Sequence, residues 1–414
     1  MTMKLTNEEK AMLAGESGPA VQRALQEQIS VGEFFGAETF VPVKNVHMMG
    51  DIEVMGDAGL AFLKDLVSAQ VKCMTPLTTN ARCMDFALAE MLGQDSGAVK
   101  QEHELIACLR EMNAITTDTC INYQSVYQPH FGEHVAWGDT GTVIYANSVF
   151  GARSNFESGP AALAAALTGR TPAYGFHLDQ HRKGTFVVNV EATLTDLADW
   201  GALGKIVGEA HQDYFSVPVF DGIRTSPTSD ELKHLGTSLA SYGSMGMFHM
   251  VGVTPEAPDV ETALGGNKPI DILTVRDRDI EAVYAGYDPK DGNCGLVVFS
   301  GPQLSLYELK RIAELLDGKR ISSDTQLFVT TNKEFKALAD DFGYTRNIED
   351  AGGIVMEGVC FYLLQNLSQI REARGWQNLV SNSAKIVNTI TAHRFNTILR
   401  RTEDCIECAL SGRI

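Results

Sequence analysis

Three things are scarce in this 414-residue chain, and each scarcity removes a class of function. Positive charge is the first: 34 Lys and Arg stand against 52 Asp and Glu, a formal net charge of −18, with no Lys/Arg run. Binding to phosphate backbones or anionic lipid needs a basic stripe, so neither nucleic acid nor a membrane surface is an expected partner. Long apolar runs are the second. The most apolar stretches, AALAAAL (161–167) and LVVF (296–299), are far too short to cross a bilayer. The opening MTMKLTNEEKAMLAGE lacks the apolar centre of a secretory signal, which makes a cytoplasmic protein the expectation. Standard motifs are the third: there is no G-x-G-x-x-G, no G-x-x-x-x-G-K-[ST] and no G-x-S-x-G, which argues against common nucleotide enzymes and serine hydrolases.

What is present is an ordinary globular composition, 44% hydrophobic and 21% charged, long enough for two or three domain-sized units or one large α/β body. Eight cysteines without a signal read as reduced thiols, most of them small buried hydrophobes. The chain is expected to open with a helix: Thr6 and Glu9 form a capping box, and Met12, Leu13, Val21, Leu25 and Ile29 follow at helical spacing. Pro160–Thr168 predicts a helix stopped by Gly169, and another starts near Ser229. The last third reads most clearly. GLVVF (295–299), LFVT (327–330), GIVM (353–356) and NLVS (378–381) predict strands. Ser305 with Glu308, and Thr331 with Glu334, predict caps of the intervening helices, and Ser383 opens the last. Strands alternating with helices mean a parallel, doubly wound α/β sheet.

In such sheets ligands bind where strand carboxyl ends turn into helix N-termini. Ser300-Gly301-Pro302-Gln303 and Ser381-Asn382-Ser383-Ala384-Lys385 have that placement, and Lys385 adds a point charge for a carboxylate or phosphate. Capped helix starts with no ligand are the commoner case for any one such turn. The spacings His177/His181 and His130/His134 lack the Glu of H-E-x-x-H, and Cys405-Ile-Glu-Cys408 is a lone C-x-x-C, so neither is read as a metal site. By spacing alone Cys120 and Cys360 read as structural, although iron–sulfur ligands need not be close in sequence.

Longer strings carry more. LTNEEKAMLAGE (5–16), FGAETFVPVKNVHMMGD (35–51), VKCMTPLTTNARCMD (71–85), VIYANSVFGARSNFESGPAALAAALTGRTPAYGFHL (143–178), MFHMVGVTPEAP (247–258) and VSNSAK (380–385) resemble the aconitase X family nearly end to end. The resemblance implies one large aconitase-like lobe over 1–414, made of several packed parallel-sheet subdomains with divisions near 130–180 and 270–290. It also implies a small swivelling domain that carries the serine base and is fused in some members and separate in others. With Ile414 closely following the VSNSAK helix, this chain resembles the separate-subunit type, a large subunit in a heterodimer. Relatives dehydrate cis-3-hydroxy-L-proline or mevalonate 5-phosphate, with an iron–sulfur cluster as Lewis acid.

By the same resemblance Cys120 and Cys360 match two cluster ligands. The third departs: relatives acting on the phosphate carry a Gly-Cys-Pro-His turn where this chain reads Ser300-Gly301-Pro302-Gln303. Cys294 precedes that strand, about 20 Å from its far end, so Cys83 is the expected stand-in. The family's Ser-Glu-Ser is likewise Gly138-Asp139-Thr140 here. His47, Thr78, Thr79, Asn80, Asn155, Ser381, Ser383 and Lys385 are the expected substrate contacts, with a helix cap (Ser383) and a turn (Asn155) as alternatives. A hydro-lyase acting on 3-hydroxyproline or an analogue is the leading expectation. Mevalonate 5-phosphate is the second, and a non-catalytic acid-binding scaffold that has lost its cluster is the third.

Overall fold

The computed structural model describes residues 3–414. Three parallel sheets follow one another along the chain. The N-terminal unit pairs β1 (Phe40–Pro42) antiparallel with β5 (Arg170–Pro172), and builds a parallel sheet from β2 (Val46–Met48), β3 (Leu77–Thr79) and β4 (Ala136–Trp137), with β2 central. The middle unit holds β6 (Phe186–Val190), β7 (Pro218–Asp221), β8 (His249–Met250) and β9 (Ile272–Val275) in the order β8-β7-β6-β9. The last unit holds β10 (Leu296–Leu304), β11 (Gln326–Thr331), β12 (Ile354–Glu357), β13 (Asn378–Ser381) and β14 (Asn396–Leu399) in the order β12-β11-β10-β13-β14. β10 and β11 are buried almost throughout, as strands covered on both faces must be. No helix among the described residues is long and apolar enough to cross a membrane.

The helix at Pro160–Thr168 starts at its proline and stops at Gly169 in the left-handed region, as its sequence requires. Ser305 and Glu308 form a capping box on Leu306–Leu316, and Thr228 does the same with Glu231 for Ser229–Gly243. Three expectations are corrected. The opening helix is two helices, Asn7–Leu13 and Pro19–Phe34, because Gly15 and Gly18 take positive φ between them. Asn332, not Thr331, caps Lys333–Asp341 by accepting from Phe335 N–H, and Thr331 completes β11 with its hydroxyl donated to the Leu304 carbonyl. Ser300–Gln303 is not a turn leading straight into a helix: β10 continues to Leu304 through a register shift, and Ser305 caps the helix.

The units interlock through the helix Ser229–Gly243, which packs on Leu197–Ala210, Thr140–Tyr145 and Ala384–Thr389. Small residues permit this closeness. A Cβ on Gly204 would come within 2.7 Å of the Leu235 carbonyl, and one on Gly141 within 2.8 Å of Thr237.

Candidate active site

Two sets of strand ends face each other. In the N-terminal sheet, β2 runs out at His47–Met49, β3 at Thr78–Asn80, and β4 at Gly138–Asp139. Segment 115–120 runs alongside, with Ile115 N–H donated to the Leu77 carbonyl and Thr119 N–H to that of Thr79. In the C-terminal sheet, β10 delivers Gly301–Gln303, β12 leads to Cys360, and β13 feeds Ser381–Lys385. The two meet directly: Arg82 N–H donates to the Gly358 carbonyl, and Cys360 N–H to that of Arg82.

Cys120 and Cys360 come together here, both buried and close enough for each sulfur to perturb the other's titration. Gln303 organises them. Its backbone N–H points at Cys120 Sγ (3.2 Å), its Oε1 accepts from Cys120 N–H (3.1 Å), and its Nε2 reaches the carbonyls of Asp118, Thr331 and Val359. The adjoining Cys360 thiol and the nearby Lys385 ammonium hold the Cys120 thiol below its usual range, whereas burial and the neighbouring sulfur push Cys360 up. Lys385 is buried and stands 3.4 Å from Asp139 Oδ1. Burial alone would lower its basicity, but Asp139 and the two sulfurs outweigh that, so it stays charged. Asp139 Oδ2 is fixed by Gly141 N–H (3.0 Å) at the start of the helix Thr140–Tyr145. A cavity of about 370 Å³ opens over this pair, lined among others by Met49, Phe156, Ser158, Ser241 and Tyr362.

His47 lies beneath. Thr78 Oγ1 lies 2.8 Å from His47 Nδ1 and 3.1 Å from the Val46 carbonyl, and in the tautomer with the proton on Nδ1 it accepts from the ring and donates to the carbonyl. In that tautomer His47 Nε2 is a buried lone pair, and the atom has no hydrogen-bond partner in the protein. Burial holds the ring neutral, lowering its pKa to about 4.

The other expected contacts divide. Asn80 lies at the site, its Oδ1 turned back to Ala81 N–H and its amide to Met49 Sδ. Thr79 is engaged in shaping the loop of Cys120: it donates to Asp118 Oδ1 (3.0 Å) and accepts from Asp118 N–H (3.2 Å). Ser381 accepts from Ser383 N–H (3.2 Å). Ser383 caps Ala384–Thr389 and donates to the Gly301 carbonyl (2.5 Å), which is the cap alternative. Asn155 is not brought to the cavity. Its amide pins the 174–176 turn through the Tyr174 carbonyl and Phe176 N–H, and accepts from Tyr214 O–H, which is the turn alternative. Asp139, Tyr362 and Gln303 join the site without being among the substrate contacts expected from sequence. Asp139 alone had a local signal, an acidic helix cap directly after a strand.

Cys83 does not join the thiol pair. Its side chain belongs to the core of the N-terminal unit with Leu105 and Leu109, near Glu102 and Asp51, and burial pushes its thiol up. Cys294 lies at the opposite end of β10, in the same buried cluster as Cys408. Among the described residues no group of three His, Cys, Asp or Glu is arranged to hold a metal. A Cβ added at Gly301, which takes φ +61°, would meet Ile386 Cβ at 3.1 Å, a tighter approach than most side-chain contacts. The donor set fits two protein thiolates and does not fit three-point anchoring of a cluster. The histidines meet across the sequence rather than at i, i+4: His134 Nδ1 contacts His177 Nδ1 at 2.9 Å.

Parallel strand ends from two sheets, converging on a buried cysteine pair and a lysine–carboxylate pair, define an aconitase-type site. Three family models match in series, described as the first, second and third domains of aconitase X, over residues 2–180, 184–285 and 294–411. The chain belongs to the aconitase X family. It is 34% identical over 98% of its length to the phosphomevalonate dehydratase large subunit of Thermococcus kodakarensis, spanning 99% of that protein. It is 29% identical over 98% of its length to the cis-3-hydroxy-L-proline dehydratase of Pseudomonas aeruginosa, spanning 70% of that protein. The crystal structure of the Thermococcus kodakaraensis aconitase X holo-form superposes with a TM-score of 0.87, covering 98% of this chain and 100% of that one. Both sets of relatives are dehydratases, and the chain is a hydro-lyase of this family.

Proposed function

We propose that this chain is the large subunit of a dehydratase acting on a small zwitterionic hydroxy acid of the cis-3-hydroxyproline type. The observation that carries this is the Lys385–Asp139 pair in the cavity wall beside Cys120 and Cys360. Lys385 would receive the substrate carboxylate, and Asp139 would receive its ammonium group. When a base removes the proton α to the carboxylate, negative charge moves onto the carboxylate oxygens. A buried ammonium in place beforehand stabilises that charge as it develops. Among the described residues Lys385 is the only cationic side chain lining this cavity, and a substrate carrying both phosphate and carboxylate would bring more negative charge than it balances.

A second reading, mevalonate 5-phosphate, is favoured by the 34% identity and matching length of the Thermococcus kodakarensis relative. In both readings the proton-accepting serine comes from a small subunit, as the words "large subunit" in the relatives' names support. Cys120 and Cys360 are the proposed protein ligands of an iron–sulfur group, with Cys83 withdrawn. His47, Thr78 and Asn80 are proposed to line the floor under the substrate, and the setting is proposed to be the reducing cytoplasm.

The test is a substrate screen on the anaerobically reconstituted pair, following loss of water. Pyrroline carboxylate formed from cis-3-hydroxyproline supports the first reading, and turnover of mevalonate 5-phosphate alone moves the assignment to the second. A metal-free pair inert toward both would leave only an acid-binding scaffold.

A further inference from the structure

A second cavity, of about 590 Å³, lies against the helices Pro19–Phe34 and Pro160–Thr168. Its walls include Ala24, Val31, Phe62, Leu163 and Leu167, and its rim carries Arg23 and Glu27. Two features single it out. It shares Phe156 and Ser158 with the candidate active-site cavity, so the two openings are neighbours on one wall. Its apolar surface also continues outward. Phe35 stacks on Tyr174, a wall residue, with ring centroids 4.4 Å apart, and Phe34 meets Phe35 edge-on at 4.9 Å. Phe34 is 82% exposed and Phe35 51%. Two adjacent phenylalanines held in water beside an apolar groove cost solvation that a lone surface monomer has no reason to keep.

We propose that this strip, from Phe34 and Phe35 through the groove to Phe156, is the docking surface for the small subunit. The inference rests on the two-chain reading above and adds where the second chain sits. A partner that covers the cavity over Lys385 meets Phe156 and Ser158 in its wall, and the groove is an apolar surface that shares those two residues. The cis-3-hydroxy-L-proline dehydratase relative, of which this chain spans 70%, carries further sequence on the same polypeptide. We take that further sequence as the counterpart of the small subunit; a partner attached in one relative and separate in another calls for a lasting interface, and lasting interfaces are the more apolar ones.

The experiment is titration calorimetry of the purified small subunit from the same organism into the intact large subunit. Three large-subunit versions are compared: unaltered, Phe34→Glu/Phe35→Glu, and Phe342→Glu, the last a 58% exposed phenylalanine elsewhere. The double variant is expected to weaken association at least about tenfold, and Phe342→Glu less than about twofold. Phe34→Glu alone, on the more exposed ring, repeats the measurement with least risk to folding. Unchanged affinity in the double variant overturns the surface while leaving the two-chain reading standing. Loss of self-association of the large subunit in the double variant, with small-subunit affinity unchanged, assigns the strip to a second copy and equally overturns it. No association of the unaltered chain overturns both. Association that depends on Phe34 and Phe35, without dehydration of either substrate, upholds the surface and overturns the catalytic reading.

Discussion

A buried ionisable side chain keeps whichever protonation state its surroundings can solvate, and Glu157 is the clearest case in this molecule. Its carboxyl is buried, held by the Thr171 hydroxyl on one oxygen, and has no hydrogen-bond partner on the other, with His177 Nε2 4.0 Å away, so burial raises its pKa to about 8. The acid is then protonated in the folded chain where the unfolded chain has lost the proton. Folding binds an extra proton between about pH 4.5 and 8, and stability falls as pH rises through that window. Glu157→Gln keeps the shape without the titration. Its melting temperature is expected to gain on the unaltered chain steadily from pH 5 to pH 9 in thermal scans, and a pH-independent difference would contradict the assignment. The thiol pair gives a second prediction at this scale. Cys120→Ser/Cys360→Ser is expected to abolish iron binding with the fold retained, read by iron and sulfide analysis beside circular dichroism. Unchanged iron content would remove both residues from the ligand set.

At the scale of elements, capping chemistry is where local sequence and final structure agree most closely. The Ser305–Glu308 box is local: the hydroxyl accepts from Glu308 N–H (3.3 Å), and the carboxylate from Ser305 N–H (2.8 Å). Ser305 also donates to Asp230 Oδ2 (2.7 Å) across from the middle unit. Ser305→Ala therefore loses a cap, about 1 kcal/mol, and leaves Asp230 without that donor. Urea denaturation should show a loss somewhat above that of a cap alone, and a loss within about 0.3 kcal/mol of zero would refute the shared role. The same locality explains what sequence could and could not reveal. Thr6 with Glu9, Pro160 with Gly169, and the hydrophobic strands of the last unit declare themselves within a few residues. The choice between Thr331 and Asn332 as a cap does not, because it turns on β11 extending one residue further to bond Leu304. Nor do the site contacts. Asn155 and Thr79 looked available as polar residues in matched loops, but their partners, Tyr214 and Asp118, are 59 and 39 residues away. Cys120 and Cys360 meet across 240 residues, so only resemblance to a family could pair them before the fold was known.

Across the whole molecule, the first and third units are joined by charge as well as by packing. Arg82 is nearly fully buried between Glu102 Oε1 (2.8 Å) and Asp118, and Lys333 of the last unit approaches Asp118 Oδ2 at 2.6 Å. Glu102 in turn accepts from Ile52 N–H (2.7 Å), which fixes the start of the helix Ile52–Ser68. Removing the arginine leaves two buried carboxylates facing each other, with Glu102 keeping only the Ile52 N–H as a donor. Arg82→Ala is therefore expected to destabilise by about 3–5 kcal/mol. Lys333→Ala should cost about 1 kcal/mol or less, since that side chain is 42% exposed and water replaces it. The consequence reaches the site, because Asp118 holds the loop that ends in Cys120, at a positive φ that a carboxylate tethered on both oxygens can maintain. Arg82→Ala should thus release iron at urea concentrations well below its unfolding midpoint, whereas Lys333→Ala should lose iron and structure together. Equal denaturation midpoints for the two variants would mean that the buried Arg82–Glu102–Asp118 triad within the first unit does not hold the loop of Cys120, and that packing alone brings the two cysteines into register.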